Sequence, residues 1–258
     1  MFVCPVCEKP LEARGGTYVC GGGHSFDISR RGYVNLTRSQ SARVHGDDKK
    51  MAAARRDFLD GGWYSRLRER ICDTLAGGPA LDVGCGVGYY LEGMSEKCEC
   101  AGVDLSKSAI DLACRRKYVN KTELAVAGCD RLPFADGSVG SVTSVFAPIK
   151  DSEAARVLAD GGRLIRVVAG SDHLIELKRE IYENAKRNPP PETRVDGFTL
   201  KSAENLRYRF RLTDGGDIRA LFTMTPYYYR TSPADADKLY RLRELDVTAH
   251  FYIFVYEK

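Results

Sequence analysis

Between Cys4 and His24 the chain sets three cysteines and a histidine at the spacing C-x2-C-x12-C-x3-H, within FVCPVCEKPLEARGGTYVCGGGHSFD. A C-x2-C pair on a tight turn presents two thiolates to one tetrahedral ion, and a C-x3-H pair closes the set from a second knuckle. Four protein ligands leave no open coordination position, so Cys4, Cys7, Cys20 and His24 read as a structural zinc site. A disulfide staple and a redox C-x-x-C are the competing chemistries. The redox pair leaves Cys20 and His24 unexplained and lacks a following thioredoxin-type helix. The chain has nine cysteines, an odd number, and no secretory pattern precedes Cys4, which points to a reducing compartment and away from a disulfide framework. Cys72, Cys85, Cys98, Cys100, Cys114 and Cys129 are scattered and read as small buried hydrophobes.

A second constellation lies in Asp82-Val-Gly84-Cys-Gly86-Val-Gly88. Glycines ending a strand and opening a helix let backbone N–H groups approach a ligand near the helix N-terminus. Asp104, closing the next strand in GVDLS, stands where an acid accepts both hydroxyls of an adenosine ribose. A dinucleotide fold would place its third glycine at position 89, where this chain has Tyr89. The G-x-G-x-G spacing with an upstream acid favours the loop of S-adenosylmethionine-dependent methyltransferases. In such a site Asp130, in GCDRLPF, sits beside the adenine, with Leu132 or Phe134 packing nearby; a plain turn residue is the alternative for Asp130. His45, His173 and His250 are single histidines, by default surface or satisfied core residues. His173 stands out because it begins a predicted helix just after the fifth strand, on the sheet edge where ligand-binding loops gather.

The elements that must position these residues follow from the patterning. ALDVG, CAGVDL, TELAVAG, VGSVTSVF and GGRLIRVV read as five buried strands. YYLEGMSEK, SAIDLACRRKY and SEAARVLAD read as helices between them, which predicts an α/β fold with a doubly wound, mostly parallel sheet. HLIELKREIYENAK reads as a long amphipathic helix stopped by RNPPPE, and AHFYIFVYE as a final antiparallel strand completing the sheet. Three units are expected: a strand-poor zinc-binding ribbon over 1–35, a basic and helical connector over 36–75, and a methyltransferase domain over 76–258. A ribbon that small lacks a sufficient core, so metal binding supplies its folding energy, on the order of 10–16 kcal/mol.

Overall charge is a mild +4, but its distribution is uneven. From Ile28 to Arg56 stand Arg30, Arg31, Arg38, Arg43, Lys49, Lys50, Arg55 and Arg56 against only Asp47 and Asp48. Such an excess beside a metal module suggests a polyanion partner, and a solvated helix face is the bland alternative. No stretch approaches the roughly 18 consecutive apolar residues of a membrane span.

Together the segments CPVC…C…HSFDISRRGYVNL, GDDKKMAAARRDFLDGGWYSRLRE, LDVGCGVGYY, DRLPF with VFAP, and DHLIELK before GFTL resemble the RlmA-type 23S rRNA guanine-N1 methyltransferases. The resemblance spans nearly the whole chain in order. It implies a Rossmann-like class I methyltransferase with an N-terminal zinc ribbon. It also implies a cytoplasmic bacterial enzyme, dimers being known in the family, that methylates N1 of one guanine in a 23S rRNA hairpin. By position, Cys4, Cys7, Cys20 and His24 match the family's zinc ligands, and Tyr64, Gly86, Val87 and His173 its contacts to S-adenosylmethionine. Val87 stands where many members carry an acid, so its contact would be through the backbone.

N1 lies on the Watson–Crick edge, so the guanine must be unpaired or flipped, and Phe146, Tyr89, Tyr90 and Trp63 are candidates for stacking on it. Phe146-Ala-Pro148 stands where exocyclic-amine methyltransferases carry Asn/Asp-Pro-Pro-aromatic, which argues against that chemistry. No residue is assigned as the base that removes the N1 proton. Arg30, Arg31, Arg38, Arg43, Arg55 and Arg56 are the expected phosphate contacts. A small-molecule methyltransferase would not need the ribbon, and a non-catalytic zinc RNA-binding protein would not need the glycine loop and Asp104.

Overall fold

The computed structural model describes residues 1–37 and 46–258. The cysteine-rich start, expected to be strand-poor, is built on a three-stranded antiparallel sheet of β1 (Leu11–Arg14), β2 (Thr17–Cys20) and β3 (Ser25–Asp27). Glycines at the β1–β2 turn and at the metal knuckle let these short strands reverse within a few residues. The chain then leaves the ribbon through β4 (Val34–Asn35), followed by helices α1 (Lys49–Asp60) and α2 (Ser65–Thr74). Asp48 caps α1 by accepting from the Met51 N–H at 2.8 Å. Ala52, Ala54, Phe58 and Leu59 of α1 and Leu67 and Ile71 of α2 are buried at helical spacing.

From there strands and helices alternate: β5 (Ala80–Val83), α3 (Tyr89–Met94), β6 (Cys100–Asp104), α4 (Lys107–Ala113), β7 (Thr122–Val126), β8 (Val139–Val145), α5 (Asp151–Val157) and β9 (Leu158–Ala169). β5 is buried at every position, as expected of a parallel strand covered on both faces. The remaining elements are α6 (Ile175–Ile181), β10 (Thr199–Leu212), α7 (Gly215–Thr223), α8 (Pro233–Arg241) and β11 (Leu245–Glu257).

The main sheet runs β10-β11-β9-β8-β5-β6-β7-β4. β4 through β9 pair in parallel, and β11 is antiparallel to both of its neighbours. This is the class I methyltransferase arrangement, with β4 added beyond β7. The final strand joins the main sheet and is antiparallel, as expected. It inserts between β9 and β10, leaving β10 outermost.

The long helix expected from His173 onward is also corrected. Leu174 takes a left-handed backbone (φ 55°) and Tyr182 an extended one, so only the seven residues of α6 are helical.

The ribbon is seated on the main sheet. Phe2 bridges Phe134, with ring centroids 5.3 Å apart, and the Val3 N–H donates to the Pro133 carbonyl at 2.9 Å. The Tyr18 hydroxyl donates to Glu123 at 2.9 Å, and β4 pairs with β7 at Val34–Ala125 and Asn35–Val126. Leu132 and Phe134, expected beside a bound adenine, are instead fully buried in the same apolar cluster as Phe2, Cys4 and Leu11.

Candidate active site and metal centre

The metal-ligand residues converge as their spacing demands. Their donor atoms all lie within 4.8 Å of one another. Cys4 Sγ is 3.6 Å from His24 Nδ1, Cys20 Sγ 3.5 Å from the same nitrogen, and Cys7 Sγ 3.5 Å from Cys20 Sγ. A tetrahedral zinc with Zn–S near 2.3 Å and Zn–N near 2.0–2.1 Å needs donor separations of about 3.5–3.8 Å. The second knuckle closes because Gly22 has no side chain; a Cβ there would stand 2.8 Å from Cys7 Sγ. Desolvation opposes ionisation of Cys20. The Gly22 and His24 N–H groups, with the His24 and Cys7 side chains, nevertheless bring its thiol down to about 6, so a thiolate is favoured where zinc requires one. The set fits zinc with no position left for substrate.

At the C-terminal ends of the parallel strands a cleft of about 490 Å³ opens, in the size range of small-molecule sites. Its floor is the glycine loop between β5 and α3. Gly84 sits at φ 73°, and a Cβ there would lie 2.4 Å from that of Ala147, so the loops after β5 and β8 can meet only at a glycine. The Gly86 N–H donates to Asp104 Oδ2 at 2.9 Å and the Ser106 N–H to Oδ1 at 2.7 Å. Burial raises the Asp104 carboxyl against these donors. Each of its oxygens keeps a further acceptor direction, which suits a ribose diol.

Of the predicted cofactor residues, the structure brings Tyr64, Gly84, Gly86, Val87, Asp104 and His173 to this cleft. The α1–α2 hairpin delivers Tyr64 by packing it edge-on against Phe58 (5.2 Å) and Phe251 (5.0 Å). Its hydroxyl is buried at the cleft wall without a protein partner, as is that of Tyr89. Orphaned hydroxyls against an adenosine-ready acid and a glycine floor fit S-adenosylmethionine. Val87 is buried, and its carbonyl accepts from Arg116 Nε at 2.7 Å. His173 stays neutral, its pKa lowered to about 3 by burial and then by Lys178 and His250. The His250 N–H donates to its Nδ1 at 3.4 Å.

Three predicted cofactor residues lie elsewhere. Asp82 is beneath the loop, fully buried, accepting from Thr143 Oγ1 at 2.6 Å, with Oδ2 unpartnered. Gly88 packs against Ala113 at the C-terminal end of α4 and against Tyr118 beyond it. Asp130 turns outward to pair with Lys150 at 2.9 Å, and its neighbour Cys129 lines the cleft instead.

Arg55, expected on RNA, is a wall of the cleft. It pairs with Asp47 at 2.7 Å and donates to the Met224 carbonyl at 3.0 Å. Arg56 pairs with the adjacent Asp57 at 2.6 Å, Arg31 reaches Asp111 at 3.6 Å, and Arg30 is exposed. Arg38, Arg43 and His45 lie outside the described residues.

Sequence reasoning missed Gly46 and Asp47, which lie over Asp104 and Ser106, and the wall from Met224 to Tyr227. The run Thr-Pro-Tyr-Tyr-Tyr was the one available signal for that wall, and it carries no spacing rule.

Of the four stacking candidates, Tyr89 and Tyr90 are 3% and 8% exposed and packed edge-on, and Trp63 stacks on Phe210. Phe146 is 43% exposed at the cleft and holds a left-handed backbone, φ 57°, a conformation that costs an L-residue roughly 1–2 kcal/mol.

Comparison with known proteins agrees with both sites. Residues 2–43 match the zinc ribbon described as RlmA, N-terminal, and residues 80–166 match a methyltransferase domain. A 23S rRNA (guanine(748)-N(1))-methyltransferase of Streptomyces fradiae is 34% identical across 94% of this chain and 90% of its own. The Bacillus subtilis (strain 168) protein YxjB is 31% identical across 99% of this chain and 96% of its own. A solved methyltransferase-fold structure from Anaeromyxobacter dehalogenans covers 74% of this chain and 94% of its own with a TM-score of 0.50 at 20% identity, which supports the fold.

Proposed function

The chain belongs to the RlmA-type family of 23S rRNA (guanine-N1)-methyltransferases, and from that premise we propose that it transfers a methyl group from S-adenosylmethionine to N1 of one guanine in a 23S rRNA hairpin. The observation that carries this reading is the presence, on one sheet, of a methyl-donor cleft and a four-ligand zinc ribbon. A small-molecule enzyme leaves the ribbon unexplained, and a simple zinc RNA-binding module leaves the glycine loop and Asp104 of the cleft unexplained.

When bound, S-adenosylmethionine supplies its methyl group from an electrophilic sulfonium. Asp104 and the glycine loop hold the nucleoside portion, and Tyr64 and His173 wall the cleft beside it. The walls from Phe146 to Pro148 and from Met224 to Tyr227 leave a mouth into which an unpaired or flipped guanine is admitted. Placing N1 in line with the methyl accounts for much of the acceleration. The zinc does no chemistry; it holds the ribbon in shape so that its basic surface, including Arg30, grips phosphates. A cytoplasmic location follows from an rRNA substrate. Among the described residues no helix is long and apolar enough to cross a membrane. Homodimer formation belongs to the same proposal, and the 14-residue β10 offers an outer sheet edge for it.

The test is incubation with methyl-labelled cofactor and undermethylated 23S rRNA, followed by nucleoside mapping. Label is expected in 1-methylguanosine at one position. Label on a small metabolite and never on RNA would overturn the reading.

A further inference from the structure

We propose that Phe146 is the platform on which the target guanine stacks, an inference that rests on the guanine-N1 reading above and adds the residue that holds the base. Phe146 follows β8 directly, and its ring lies over His173 with centroids 5.8 Å apart and planes inclined by 22°. Phe251 supports both rings, 5.8 Å from Phe146 and 4.9 Å from His173. Apolar and neutral aromatic groups thus back the ring on its protein side, while its remaining surface opens into the cleft.

The backbone beneath it is held from three directions. The Phe146 N–H donates to the Val167 carbonyl at 3.0 Å, and Ser144 Oγ donates to the Ala147 carbonyl at 2.6 Å. The Cβ of Ala147 reaches the space that only a glycine at position 84 leaves open. A left-handed conformation is unfavourable for a bulky L-residue and persists only where its surroundings over-determine it; such residues cluster at ligand-binding sites. Core packing does not explain this one, because the strained residue is also among the few large apolar side chains exposed to solvent. An aromatic ring presented edge-fixed and face-open beside a methyl-donor site suits a purine, whose π-face stacks on it irrespective of sequence context. The sequence around Phe146 lacks the amide or carboxylate that would read an exocyclic amine. Phe146 therefore positions the base plane and leaves the choice of attacking atom to the in-line geometry.

The test compares wild type with Phe146→Asn, Phe146→Leu and Phe146→Trp. Asn adopts the left-handed backbone readily, so Phe146→Asn removes the ring without adding strain, and thermal melting checks that it folds. Calorimetry with S-adenosylhomocysteine and single-turnover methylation of a 23S rRNA transcript are the two readouts. Phe146→Asn and Phe146→Leu are expected to keep homologue affinity within about twofold while methylation falls roughly 10- to 100-fold, and Phe146→Trp to retain most of the rate. Wild-type rates in Phe146→Asn or Phe146→Leu would overturn the proposal. So would an equal loss of S-adenosylhomocysteine affinity, which would make Phe146 a cofactor contact. Absence of 1-methylguanosine with the wild-type enzyme would bring down the functional reading, and this inference with it.

Discussion

Asp82 sits fully buried beneath the glycine loop, and burial, reinforced by nearby Asp104 and opposed by the Thr143 hydrogen bond, raises its pKa to about 7. An unfolded aspartate titrates near 3.9, so the native state binds a proton that the unfolded state has lost between those values. The resulting stabilisation is complete below about pH 4 and is lost as pH rises through about 7. Comparing wild type with Asp82→Asn in urea melts should show the wild-type advantage shrinking by on the order of 4 kcal/mol from pH 4 to pH 8. A pH-independent difference would mean that the carboxyl stays ionised. Two arginines from the same basic stretch should part company in the same way that the structure separates them. Arg55→Ala removes the tie between Asp47 and Met224 at the cleft and should weaken S-adenosylhomocysteine binding about tenfold. Arg30→Ala should leave that affinity unchanged and lower the salt slope of rRNA binding by about 1. Equal effects of the two variants on both ligands would contradict this division. Asp104, Gly84 and Gly86 were legible because their spacing along strand and loop fixes where they land. Asp130 was not, because Lys150, distant in sequence, draws it outward. Nor was the left-handed backbone of Phe146, which depends on Val167 and Gly84.

At the scale of elements, α5 does more than cross over the sheet. Glu153 on its first turn is buried and accepts from Arg156 at 2.7 Å, from Arg131 at 3.2 Å and from the Leu132 N–H at 2.7 Å. Burial works against its ionisation, but Arg156 and the Leu132 N–H outweigh it and hold the carboxyl below the usual glutamate range. Arg131 in turn reaches Glu8 on the ribbon at 2.9 Å, and Arg156 also donates to the Leu132 and Phe134 carbonyls. The segment that seats Phe2 is thus clamped from below. Glu153→Gln should lower unfolding free energy by about 2–3 kcal/mol near neutral pH, a difference that fades as pH falls through the glutamate's lowered pKa. Proteolysis should then open the ribbon first; an unchanged melting profile would show the network to be redundant. Helices and parallel strands here were readable from local periodicity, since a buried run such as ALDV fits few other settings. The insertion of β11 between β9 and β10 was not, because pairing over such separations leaves no local pattern. The early end of α6 was hidden for a different reason: its amphipathic spacing continues past Tyr182, where tertiary context extends the backbone.

At the scale of the whole molecule, the ribbon and the cleft share a sheet but not a wall. Among the described residues, those lining the cleft begin at Gly46, whereas the ribbon meets the sheet at its far edge through β4, Phe2 and Tyr18. The ribbon's own apolar interior is small: Phe2, Val3, Cys4, Leu11 and Cys20 are its buried hydrophobic residues through β3, and Tyr33 and Val34 beyond them are buried in clusters with residues of the main sheet. Structural zinc contributes on the order of 10–16 kcal/mol in modules of this kind, so the ribbon's shape depends on metal while the methyltransferase sheet has its own core. Stripping zinc with a chelator, or replacing His24 with Ala, should therefore separate the two functions. The ribbon's amides should lose protection in hydrogen exchange, while those of β5, β6 and β8 keep theirs. S-adenosylhomocysteine should bind within about twofold of wild type, because its cleft borrows nothing from the metal module. Methylation of 23S rRNA should fall roughly 10- to 100-fold, the loss expected when two or three phosphate contacts are no longer held in register. Two results would sink this account in different places. Methylation undiminished by zinc removal would show that the ribbon does not grip RNA. A parallel loss of homologue binding would show that β4, released from the edge of β7, is needed to keep Asp104 at the end of β6 in place.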